Sequence, residues 1–125
     1  MNATLLVMAG GALGAAGRYH LGRMVFHLGG TGLPYGTLAA NLFGGLLMGV
    51  LAGVLARSSF VDEPWRLLLG VGLLGGFTTF SAFSLEVMNM IERGQWGMAV
   101  GYALISVVGS VLALFAGLLA VRAMA

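Results

Sequence analysis

The 125-residue chain is 59% hydrophobic and 8% charged, with a formal net charge of +2 and no cysteine. Soluble domains carry about 25% charged residues, so this composition, with a mean hydropathy of +1.00, places the chain in a bilayer. The missing cysteine excludes disulfides, thiolate nucleophiles and thiolate metal sites, and scattered arginines without lysine leave no nucleic-acid footprint.

No charged side chain falls in Met1 to Gly17, Thr31 to Ala56, Leu67 to Leu85 or Gln95 to Val121. A bilayer core needs roughly 20 helical residues per crossing, which predicts four transmembrane helices at about 3–27, 33–57, 65–91 and 96–122 in a single domain, 1–125. The first must run past Arg18 to reach that length. A cleaved signal peptide is its rival, but the segment has no basic n-region and three spans would remain. Arg18 can snorkel to the interface or make an electropositive vestibule for anions. His20 and His27 lie near a membrane surface, without the cysteines or paired carboxylates of a metal site.

Glycines and Pro34 fill the connection from Leu28, with Pro34 placed to open the second helix. That helix contains GTLAANLFGG (Gly36 to Gly45), which puts Asn41 deep in the membrane. Its amide serves either as a donor to an anion or as interhelical glue. Gly45-xxx-Gly49-xxx-Gly53, like Gly10-xxx-Gly14 in the first helix, forms a small-residue stripe along which backbones can approach.

RSSFVDEP (Arg57 to Pro64) is the longest polar connection, and Trp65 after it suits an interfacial anchor. In mid-membrane the third helix carries GGFTTFSAF, Gly75 to Phe83. Gly75 and Gly76 each weaken a helix by about 1 kcal/mol relative to alanine, which makes the stretch from Gly75 to Thr79 a weak point that could unwind. Unpaired backbone survives at that depth only inside protein or along a polar path. Freed carbonyls suit a small hard cation, as in the broken helices of transporters. The hydroxyls of Thr78, Thr79 and Ser81 and the positive edges of Phe80 and Phe83 suit an anion. The plainer alternative is a glycine-rich packing seam with core phenylalanines. Glu86 can snorkel, pair with an arginine or relay protons.

Glu92 to Trp96 forms the third connection, with Trp96 at a headgroup level. In the fourth helix Tyr102, Ser106 and Ser110 recur four apart on one face, although membrane serines also bond back to their own backbone. Arg57, Arg66 and Arg122 fall on one side of the membrane, and Arg18, Arg23 and Arg93 on the other. This three-to-three balance removes the usual orienting bias and is compatible with dual topology. Nothing pairs a nucleophile with a base or cradles a phosphate, so no enzyme is expected.

Three motifs in order, GGALGAAGRY (Gly10 to Tyr19), GTLAANLFGG and GGFTTFSAF, together resemble the CrcB/Fluc family of fluoride channels, over essentially the whole chain. The resemblance implies an all-α, dual-topology, antiparallel homodimer in the bacterial inner membrane, passively exporting fluoride through pores lined by both subunits. By similarity Phe80, Phe83, Asn41, Thr79, Tyr102, Ser106, Ser110, Arg18 and Glu86 would lie along the fluoride pathway. The backbone carbonyls of Gly75 and Thr78 from both subunits would hold a structural sodium ion on the two-fold axis. Ala82 departs from the pattern, standing where many relatives carry threonine, and leaves one hydroxyl fewer beside the rings. Two rivals remain. One is a proton-coupled exporter similar to the small multidrug resistance proteins, which would have to lean on Glu86 because Met1 to His27 holds no acid. The other is a structural subunit explained by its glycine seams.

Overall fold

The computed structural model describes residues 2–28, 34–57 and 63–124. Among the described residues there are helices and tight turns but no strand. Helix α1 spans Ala3–Leu28 and α2 spans Tyr35–Arg57. The third helical run starts as α3 (Glu63–Trp65), continues as a π-helix over Arg66–Leu74 and ends its first half as α4 (Gly75–Phe77). After an irregular Thr78, Thr79 and Phe80 it resumes as α5 (Ser81–Glu92), and α6 (Trp96–Ala123) follows. The expectations for Leu28 to Pro34 and RSSFVDEP fall largely outside the described residues.

Local chemistry sets the visible ends. Asn2 caps α1, its Oδ1 accepting from the Thr4 N–H at 2.7 Å. Pro34 precedes α2, and its carbonyl accepts from Leu38 N at 3.2 Å. Between α5 and α6, Gly94 takes φ +77°, with Gly94 N bonded to Ile91 O and Gln95 N to Met90 O. That pairing is a Schellman close, which glycine enters without a Cβ penalty. At the far end of α2, Arg57 Nη1 donates to Val121 O at 2.9 Å and ties α2 to the last turns of α6.

Two seams assemble the chain. Along α1, a Cβ on Gly14 would lie 2.1 Å from Leu73 O, and one on Gly10 would lie 2.3 Å from Leu68 O. Along α2, a Cβ on Gly49 would lie 2.0 Å from Leu114 O, and α6 answers with Gly117, whose Cβ would meet Leu46 O at 2.4 Å. Both small-residue stripes expected from the sequence are thus used within one chain. Helices in lipid gain little from burying apolar surface, so this backbone-to-backbone approach supplies dispersion in its place.

Phe83, Met90, Ala99 and Tyr102 form a small buried cluster, with Leu38 and Val87 packed around it. Elsewhere large apolar side chains face outward, among them Leu104, Val108, Leu112 and Phe115 on α6. Among the described residues, three helical runs are long and apolar enough to cross a membrane: Tyr35–Arg57, Glu63–Glu92 and Trp96–Ala123. At 26 residues α1 has the length, but Arg18, Tyr19, His20 and Arg23 dilute its second half.

Candidate functional site

The site begins at the break. Thr78 is extended at φ −83°, ψ 162°, and Phe80 returns toward helix at φ −101°, ψ −32°. The sequence expectation located the weak point at Gly75 to Thr79. Gly75, Gly76 and Phe77 are instead helical, and the irregular residues are Thr78 to Phe80. Gly76 serves packing, since a Cβ there would meet Gly11 O at 2.8 Å. β-Branched threonines, which helices tolerate less well, mark the departure itself.

Asn41 splices the break. Its Oδ1 accepts from Thr79 N at 2.8 Å and its Nδ2 donates to Thr79 O at 2.9 Å. One amide thereby satisfies both polar groups of a residue that has left the helix. Thr79 Oγ1 accepts from Ala82 N at 3.2 Å and so caps α5, while Thr78 Oγ1 bonds back to Leu74 O at 3.1 Å. Gly44 on α2 gives Thr78 room, because a Cβ there would sit 2.3 Å from Thr78 Cγ2.

Beside the break runs an open groove of about 420 Å³ between α2, α5 and α6. Asn41, Thr79, Phe80, Phe83, Ser106 and Ser110 all line it, so six of the pathway residues expected from sequence meet in one place. Met48, Val107, Val111 and Leu114 make its apolar wall. The two rings are unequal: Phe80 is 75% exposed and Phe83 only 8%, with centroids 5.6 Å apart. Phe80 caps α5, its carbonyl accepting from Ser84 N, and its ring lies beside that of Phe83 along the same groove. Ser106 is 5% exposed, and its Oγ is buried with no hydrogen-bond partner among the described residues. It does not bond back to its own helix as many membrane serines do.

Tyr102 and Glu86 lie behind the groove. The Tyr102 ring packs on Phe83 at 5.3 Å, and its hydroxyl donates to Glu86 Oε1 at 2.9 Å. Thr37 Oγ1 donates to Glu86 Oε2 at 2.8 Å. Glu86 therefore pairs with two hydroxyls, and no arginine bridges it among the described residues. Sequence reasoning missed Thr37, although the signal was present: it stands four residues before Asn41, on the same helical face. Arg18 lies outside the groove lining, with its Nε buried and unpartnered among the described residues. Gly75 also lies outside the groove and faces outward.

Chemically the site holds hydroxyl and amide donors, aromatic edges and one hydrogen-bonded carboxylate. Among the described residues no cluster of histidine and acidic side chains could bind a metal.

Comparison with known proteins gives a consistent result. Residues 5–118 match the family described as "CrcB-like protein, Camphor Resistance (CrcB)". A protein of Phenylobacterium zucineum named "Fluoride-specific ion channel FluC" is 62% identical over 123 residues, spanning 98% of this chain and 97% of the relative. The equally named protein of Caulobacter sp. (strain K31) is 55% identical over 98% of this chain and 96% of its own. That of Novosphingobium aromaticivorans is 53% identical over the full length of both. A match across most of the chain, joined to end-to-end identity above one half, makes this protein a member of the CrcB-like family.

Proposed function

We propose that this protein is a passive, fluoride-selective channel that works as an antiparallel homodimer. It is a multi-pass membrane protein and not an enzyme, and its relatives are named as fluoride-specific ion channels. The single observation that carries the proposal is the one-sided groove, which gathers donors and aromatic edges at membrane depth, with Phe80 in its wall at 75% exposure. A wall of this kind becomes a pore when a second copy closes it, and the balanced arginines leave either insertion open to each copy.

In this reading fluoride exchanges its water for donors in sequence. Arg18 raises the local anion concentration at the mouth. The free N–H of Asn41 and the hydroxyls of Ser106 and Ser110 replace water. The edges of Phe80 and Phe83 carry partial positive charge toward the ion. Glu86, held by Thr37 and Tyr102, fixes the orientation of that phenol behind Phe83. Selectivity over chloride would follow from a narrow path dense in donors, since fluoride is the smaller ion and is more strongly hydrated.

A structural sodium ion fits the carbonyls of Gly75 and Thr78, for neither accepts an N–H among the described residues. Bound there, it would neutralise carbonyl dipoles and tie the two copies at their axis.

Purified protein in liposomes loaded with fluoride and chloride tests the function. Fast fluoride release with chloride retained supports it. No release from a folded dimer removes it, and release coupled to a change in vesicle pH would move the reading to a proton-coupled exporter using Glu86.

A further inference from the structure

The geometry points to Asn41 and Thr79 as the residues that hold the third helix open for a cation. Their side-chain oxygens intercept the two N–H groups that would otherwise close onto the carbonyls of Gly75 and Thr78. The inference rests on the sodium reading above and extends it to side chains that would not touch the ion.

In an unbroken α-helix each N–H bonds to the carbonyl four residues back. Thr79 N would then donate to Gly75 O, and Ala82 N to Thr78 O. Both donors are diverted here: Thr79 N bonds to Asn41 Oδ1 at 2.8 Å and Ala82 N to Thr79 Oγ1 at 3.2 Å. The diversion starts one residue past an intact bond, Thr78 N to Leu74 O at 3.0 Å. Helix resumes at Ser84 N to Phe80 O, 2.8 Å. Within that interval Gly75 O and Thr78 O are left without a donor while their former partners stay satisfied.

This division separates two tasks. Fluoride needs N–H and O–H donors, whereas sodium needs bare oxygens. Asn41 turns its Oδ1 and one N–H of Nδ2 onto Thr79 and keeps a second N–H for the groove it lines. Thr79 likewise uses a lone pair on Ala82. The anion path and the cation site are thus coupled through one amide and one hydroxyl, and both are positioning residues for the cation.

Sodium chloride is titrated into the purified protein in sodium-free, fluoride-free buffer, and the thermal unfolding midpoint is followed. In Asn41→Leu and Thr79→Val the oxygen is lost and the helical bond can reclose. Half-maximal stabilisation should then need about tenfold more sodium, or the sodium response should vanish. Asn41→Asp and Thr79→Ser keep an acceptor in place and should titrate within about threefold of wild type, or tighter. Wild-type titration by Asn41→Leu and Thr79→Val would overturn the inference. So would loss of the sodium response in all four variants, which would mark a packing role instead. Absence of any sodium response in the wild type would remove the cation reading itself, and the inference with it.

Discussion

Gly49→Ala tests the α2–α6 seam. A Cβ at this position would lie 2.0 Å from Leu114 O, 2.8 Å from its carbonyl carbon and 3.0 Å from its Cα. All three atoms are backbone, so no rotamer change relieves the contact. Carbon and oxygen approach comfortably to about 3.3 Å, which requires α2 and α6 to separate locally by about 1.3 Å. A radial gap of about 1 Å forfeits up to half of each neighbouring dispersion contact. Overpacking of this kind costs about 1–3 kcal/mol, and alanine returns up to about 1 kcal/mol in helix propensity. The net expectation is a loss of about 1–2 kcal/mol. Ser110 lies on the same seam, since a Cβ on Gly45 would sit 2.9 Å from its carbonyl oxygen. A displaced α6 therefore shifts the groove as well as the fold. Thermal unfolding in detergent should show a lower midpoint, and fluoride efflux should fall. Gly97→Ala is the matched control, because its Cβ would meet nothing within 4 Å, and it should leave the midpoint unchanged or raise it. Gly49→Ala unfolding at or above the wild-type midpoint would refute the close-approach argument.

Ser106→Ala removes a buried hydroxyl that has no partner, so unfolding should be unchanged or stabilised by up to about 1 kcal/mol, while fluoride efflux drops; unaltered efflux would take Ser106 off the path. Tyr102→Phe keeps the ring on Phe83 and leaves Glu86 Oε1 without its donor, which should cost about 1–3 kcal/mol and slow efflux. Thr37→Val should act similarly through Oε2, and a double variant much less than additive would show the two hydroxyls serving one carboxylate. Phe80→Ile should abolish most fluoride flux with little change in the unfolding midpoint of the monomeric fold, given its exposure. Wild-type flux in the folded variant would remove its pathway role.

Part of the site was legible because membrane-depth polarity is costly enough to stand out. Asn41, Tyr102, Ser106 and Glu86 each interrupt otherwise apolar helices, and all proved to lie at or behind the groove. Thr37 escaped notice because a threonine near a helix end is ordinary, and only the position of Glu86 on another helix gives it a role. The break was displaced for a similar reason. Glycine lowers helix propensity, but in a seam it gains more from close packing than it loses, so Gly76 stays helical against α1, and the chain departs where Asn41 can receive it.

The sequence by itself determined the solvent. A chain with 8% charged residues and long uncharged runs has no soluble alternative, and in lipid every backbone group must be paired within its own helix or by a nearby side chain. It also determined where helices can approach, since only glycine stripes allow backbone contact. Tertiary structure alone decided which stripes pair, α1 with the π-helical stretch and α2 with α6. It decided too that the N–H groups of Thr79 and Ala82 go to side-chain oxygens. Propensity acts on a residue and its near neighbours, whereas Asn41 reaches Thr79 from 38 positions away. Only the assembled bundle sets an acceptor at that distance in sequence.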